Sequence, residues 1–167
     1  MNTATQHILG AATAAGLIFA SLALSAPEAK AAPALWYEGD GWTVEGDYAG
    51  YCMATAGWTT GQYMGVSLSK VNGWTMFFRS DTAVPLVVGG PVAAQMITST
   101  GIRYNLNGTA IGPTSVSFGL LTADFVKSLA LSRSVTIKDV GTFGMKGSMK
   151  AILKTVDCFR AITGKAA

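Results

Sequence analysis

Histidine is almost absent from this chain. The single one, His7, sits in an apolar N-terminal stretch, and none follows it. Without imidazole, Ser-His-Asp and Cys-His nucleophilic sites cannot be assembled, nor can any zinc site that needs a histidine ligand. Cysteine is nearly as scarce: Cys52 and Cys158 are too few for a four-cysteine metal site. Charged residues make up only 13% of the chain, and the basic ones are dispersed. That argues against a nucleic-acid partner. Internal repeats, low-complexity tracts and linkers are missing too, so residues 32–167 are expected to form one domain. Ser69-Lys70 and Ser148-Met149-Lys150 invite a Ser/Lys dyad reading, but serines and lysines beside turns are the plainer account. No catalytic residue, metal or cofactor is expected.

What is present begins with an Ala/Leu/Ile-rich run from Ile8 to Leu24, followed by Ala29-Lys30-Ala31. This small-x-small pattern is what a signal peptidase reads, so residues 1–31 are expected to be a signal peptide and Ala32 the first residue after cleavage. The segment before the run has no Lys or Arg, which is atypical. A retained N-terminal anchor is the competing reading, but Gly10, Thr13, Gly16 and Ser21 make the run a poor permanent span. The expected location is the periplasm or the medium, with no stable membrane span after cleavage. Two cysteines in an exported chain suggest one disulfide, Cys52–Cys158, against the alternative of two buried thiols. Closing so long a loop stabilises by about 4–5 kcal/mol on the chain-entropy argument.

Along residues 32–167 the pattern is mainly β. Ala32–Ala34 reads as a lead-in, with Trp36 and Tyr37 as packing before a first strand at Trp42–Glu45. Strands follow at Tyr51–Ala56, Tyr63–Val71, Trp74–Arg79, Val92–Thr98, Ile102–Leu106 and Ser115–Leu120. Asn72-Gly73 is the strongest hairpin signal. A two-residue loop there would set Leu68 against Phe77, placing Trp74, Met76 and Phe78 on a face with serines. A one-residue bulge would relieve that, so the register stays open. Asn107-Gly108 reads as a second hairpin turn, and Ala83–Val88, interrupted by Pro85, as an irregular crossover. Thr122 caps a helix with Phe125, Val126, Leu129 and Ala130 as its stripe. Val135–Ile137 and Thr142–Met145 are the last strands. Ser148 is expected to cap a closing helix that ends at Gly164. Its apolar arc is read as Met149, Ile152, Leu153, Val156 and Phe159, with Cys158 at the edge. The fold class expected is an antiparallel β-sandwich or curled sheet with two helices from the C-terminal half packed on it.

Few residues carry candidate chemistry. Glu38, Asp40, Glu45 and Asp47 crowd the start. They lack the ligand spacing of a calcium loop, and nothing in sequence holds two of them at a glycosidase separation. Trp36, Trp42, Trp58 and Trp74, with Tyr51 and Tyr63, are candidates for a glycan-binding face, although such residues more often fill a core. Gly141-x-x-Gly144-x-x-Gly147-Ser148 with Lys146 nearby is a candidate anion site at a helix start. It matches neither a P-loop nor a dinucleotide fingerprint.

The net charge is +3, acidic early and basic late. Such a bipolar surface favours a homo-oligomer or contact with anionic envelope polymers, though solvated faces are the plainer account. Taken in order, the export signal, Trp42-Thr-Val-Glu, Tyr51-Cys-Met-Ala, the Asn-Gly hairpin, the Phe125-to-Leu129 helix and the final Gly-x-Phe-x-x-Lys-Gly-Ser…Cys158 resemble a known pattern. It is that of small cell-envelope proteins of Gram-negative bacteria of the invasion-associated locus B type. The resemblance implies a periplasmic β-sandwich-like domain with no catalytic residues to carry over; only the cysteine pair transfers. The function expected is therefore an exported, non-enzymatic binding or structural domain whose partner is an envelope protein or polymer. The alternative is a carbohydrate-binding or carbohydrate-active protein using the acidic and aromatic N-terminal region.

Overall fold

The computed structural model describes residues 33–46, 50–81 and 85–164. The expected signal segment and Asp47 lie outside the described residues. Ten strands form one sheet: β1 (Ala34–Gly39), β2 (Trp42–Gly46), β3 (Tyr51–Gly57), β4 (Gln62–Ser69), β5 (Gly73–Ser80), β6 (Pro91–Thr98), β7 (Arg103–Gly112), β8 (Ser115–Leu121), β9 (Ser134–Ile137) and β10 (Gly141–Gly144). Helix α1 (Ala123–Leu131) follows β8, and α2 (Ser148–Thr163) follows β10. The strand order is β1-β2-β3-β4-β5-β8-β7-β6-β9-β10, and each neighbouring pair is antiparallel. The fold is thus mainly β, as expected, and of the two forms anticipated it is the curled sheet.

The curl can be stated as a distance. β5 and β10 are five strand steps apart, about 24 Å on a flat sheet at ~4.8 Å per step. Yet the rings of Phe78 in β5 and Phe143 in β10 meet at 5.3 Å. Phe143 also meets Trp58, beyond β3, at 5.1 Å. The two edges approach without pairing. Trp42 donates its indole N–H to the Lys146 carbonyl at 3.0 Å. Inside the curl lies the core, built by strict alternation: Trp42 and Val44, then Ala54 and Ala56, then Met64 and Val66, then Met76 and Phe78 point inward.

Thr122 caps α1 as expected, accepting from the Phe125 N–H at 3.1 Å. Helix α2 packs against β2, β3 and β4. There Cys158 bonds Cys52 of β3, with Cα atoms 6.1 Å apart across a sequence separation of 106. Both cysteines are fully buried, beside Leu68 and Phe159. Among the described residues no helix is long and apolar enough to cross a membrane.

Four expectations are corrected, and the one register left open is settled. First, Ala34–Gly39 is a paired edge strand, so the first strand comes before Trp42, and Ala34, Trp36 and Tyr37 belong to it rather than to a lead-in and loose packing. Asp40 and Gly41, both at positive φ, make the tight turn that sets Gly39 opposite Trp42. Second, the β4–β5 loop holds three residues, with Gly73 at φ 59, so Leu68 faces Trp74 and Val66 faces Met76. This shift puts apolar residues together on the core side, resolving the open register. Third, Asn107-Gly108 lies inside β7. A Cβ at Gly108 would stand 2.5 Å from the Ser117 carbonyl and 2.6 Å from the Phe118 ring, so the glycine serves close strand approach rather than a turn. The β6–β7 reversal occurs at 99–102. Fourth, Gly147, left-handed at φ 83, is the N-cap of α2, while the Ser148 hydroxyl donates to the Ala130 carbonyl at 3.2 Å. Fifth, the buried face of α2 is Ser148, Ala151, Ile152, Thr155, Cys158 and Phe159, whereas Met149 and Leu153 are exposed. The buried arc is centred on Thr155 and Ser148, with Cys158 at one edge of it, facing Cys52 of β3.

Replacing both cysteines with alanine should lower unfolding free energy by about 3–5 kcal/mol, read from urea denaturation with tryptophan fluorescence. Phe143→Ala should cost about 3–5 kcal/mol by the same measurement, because it removes the ring that bridges β10 to β5 and Trp58.

Candidate functional site

The inner face is not filled everywhere. A cavity of about 390 Å³ opens between β5–β8–β7–β6 and the β9–β10 turn. Its buried wall is Phe78, Leu106, Val116, Phe118 and Ile137. Val92 and Ala94 of β6 and Leu86 complete the apolar lining. The space arises because the first half of β6 sends only Val92 and Ala94 inward, before Met96, where β5 and β8 send Met76, Phe78 and Phe118. A missing side chain on a stiff sheet leaves volume that neighbours only partly reclaim.

The mouth is built from two tied segments. On one side Leu86 donates its N–H to the Pro113 carbonyl at 2.7 Å, and Gly89 donates to the Ala110 carbonyl at 2.8 Å. On the other, Lys138 donates its N–H to the Gln95 carbonyl at 2.9 Å and Val140 to Ile137 at 3.1 Å. Asp139, at φ 63, takes the left-handed position of that turn. Exposed Lys138 and Asp139 therefore stand at the rim of a mostly apolar hollow, whose lining also includes Ser80 and Thr114. Gln95 also lines it, and its amide donates to Asn105 at 3.2 Å.

Chemically, this is a receptacle. A cavity of ~150 Å³ suffices for a benzene ring, and small-molecule sites start near 300 Å³. The lining offers one carboxylate, Asp139, and no second one to pair with it. Apolar contact is the main interaction available, with one cation and one anion to orient a polar end.

The residues singled out from sequence are distributed elsewhere. Trp42 is 2% exposed and belongs to the core, so its ring is not open to a ligand. Trp36 lies on the edge strand β1 and is 38% exposed. Trp58 sits in the β3–β4 turn against Phe143. Lys146 Nζ stands 3.5 Å from the Asp40 carboxylate, both exposed to solvent. Ser148 is 1% exposed, its hydroxyl turned toward Ala130. Glu38 and Glu45 stand on β1 and β2, opposite Thr43 and Leu35. Among the described residues no group of three His, Cys, Asp or Glu side chains is placed to hold a metal ion. The cleft itself was missed from sequence. Its only local trace is Val92-Ala93-Ala94, a strand start with little side-chain bulk, and the remaining wall comes from four other strands.

No family model, curated protein or solved structure matches the chain.

Proposed function

We propose that this chain is an exported, non-enzymatic binding domain of the cell envelope, and that the apolar cleft beside β6 holds its ligand. The observation that carries the reading is the cleft: concave, apolar, rimmed by Lys138 and Asp139, and held open by a rigid sheet. The ligand that fits is a small apolar molecule or the hydrocarbon end of an amphiphile, presented by or to an envelope protein or polymer. Export is supported by the signal-like residues 1–31 and by the fully buried disulfide, a bond that persists in oxidising compartments. The resemblance to invasion-associated locus B proteins points the same way.

Two measurements test this. Expressed from the full-length gene, the protein should appear in the envelope or medium fraction with an intact mass that begins at Ala32; recovery of the uncleaved chain in the cytosol would count against export. Titration with dansyl-undecanoic acid should give saturable, one-to-one fluorescence enhancement. Ala94→Trp, which fills the cleft, should weaken it at least tenfold, the order of effect expected from removing a contact worth about 1.4 kcal/mol or more. If Ala94→Trp disturbs thermal unfolding, Val140→Asp at the mouth serves instead. Unsaturable binding, or full binding by a folded cleft variant, refutes the assignment.

A further inference from the structure

On the opposite face of the sheet, β4 and β5 carry a second feature that is independent of the cleft. Their outward positions include Tyr63 and Phe77, whose rings are stacked with centroids 6.0 Å apart and planes 30° from parallel. Each aromatic faces a glycine on the next strand: Tyr63 pairs with Gly57 and Phe77 with Gly65. A Cβ at Gly65 would stand 1.9 Å from the Phe77 ring, and one at Gly57 would stand 3.2 Å from the Tyr63 ring. The two rings therefore lie down across the sheet and present a flat surface. Tyr63 remains 39% exposed.

Beside this strip is a groove of about 290 Å³ lined by Trp58, Gln62, Tyr63, Arg79 and Asp81 with Gly57 and Gly61. Arg79 Nε donates to the Asp81 carboxylate at 2.9 Å, and both side chains are about half exposed. The backbone under them is fixed. Asp81 donates its N–H to the Gly61 carbonyl at 3.2 Å, and Trp58 donates to the Gln62 carbonyl at 2.9 Å. The polar groups are thus preorganised next to an aromatic surface.

We propose that this strip is a glycan-binding platform for a neutral polysaccharide of equatorially linked, gluco-configured sugars. The faces of such pyranose rings carry only axial C–H groups, which pack on flat aromatic rings. Their edges carry equatorial hydroxyls, which both donate and accept. Tyr63, Phe77 and Trp58 supply the first kind of contact. The Arg79–Asp81 pair and Gln62 supply planar donors and acceptors for the second. Because Arg79 and Asp81 neutralise each other, the site has no net charge to attract a polyanion, which separates it from a nucleic-acid surface. The aromatics brought together differ from those expected from sequence: Trp58 and Tyr63 take part, while Trp42 is in the core and Trp36 is on β1.

The test is calorimetric titration of the protein with cellohexaose and with chitohexaose, following Trp58 emission in parallel, with dextran as the control polymer. At least one hexasaccharide should bind while dextran does not. Tyr63→Ala should weaken binding about fivefold or more, as for loss of a good aromatic contact. Asp81→Asn, an exposed change with little effect on folding, should weaken it as well. Ala94→Trp in the cleft should leave glycan affinity unchanged, so failure of the cleft assignment and failure of the platform are told apart. No binding of either hexasaccharide at millimolar concentration, equal binding of dextran, or unaltered affinity in both platform variants overturns the proposal.

Discussion

Cys52 and Cys158 join β3 to α2 across a sequence separation of 106, with both sulfurs fully buried. The neighbouring strand makes room for the bond at Gly46. A Cβ there would stand 2.3 Å from the Cys158 sulfur, 3.1 Å from the Cys52 sulfur and 3.1 Å from the Trp36 indole nitrogen. The bond and its glycine hold α2 flat on the inner face of β2–β4. Only residues 145–147 separate β10 from α2. With α2 fixed on β2–β4, so short a link draws β10 toward the β1–β2 end of the sheet. The contacts of Phe143 with Phe78 and Trp58, and of Trp42 with the Lys146 carbonyl, lie along that closure. The curl of the sheet is in this sense a consequence of where the last helix is anchored.

That curl determines what the two faces can do. Inside, side chains from distant strands converge, and most of the volume is filled by methionine, phenylalanine and valine. Beside Val92 and Ala94 at the start of β6 it is not filled, and the hollow survives because a twisted ten-stranded sheet cannot collapse locally onto a missing side chain. Outside, on β4 and β5, the same alternation puts Tyr63 and Phe77 on the solvent face above glycines. Inward and outward residues alternate along each strand, so the cleft and the platform share a scaffold without sharing side chains. Neither lining brings two carboxylates together.

Legibility from sequence followed the range of the interaction. Thr122 as an N-cap and Gly164 as a left-handed C-cap are local hydrogen-bond and steric matters, and both lie where the residues indicate. Asp40-Gly41 was an equally local signal for the β1–β2 turn, passed over because the strand before it alternates poorly: Leu35, Trp36 and Glu38 are all exposed. Asn-Gly marked a hairpin at Asn72-Gly73 but misled at Asn107-Gly108, for a physical reason. Glycine is required both where φ is positive, as at Gly73, and where another backbone comes too close for a Cβ, as at Gly108. Composition alone does not separate the two cases. The face of α2 was misjudged because periodicity reports a broad apolar arc, and which part of it is buried is decided by the strands α2 packs against, with Cys158 at one edge.

The amino-acid sequence by itself determined the β-rich class, the two helices with the N-cap of the first and the C-cap of the second, and the pairing of the only two cysteines. Alternation, capping and the count of two thiols are short-range or combinatorial constraints. Tertiary structure alone decided that the ten strands form one curled sheet rather than two layers, and that a cleft opens beside β6. It also decided that Tyr63 and Phe77 lie together while Trp42 is sealed in the core. Those outcomes depend on which strands become neighbours, and strand order is set by the sum of long-range packing that no local stretch encodes.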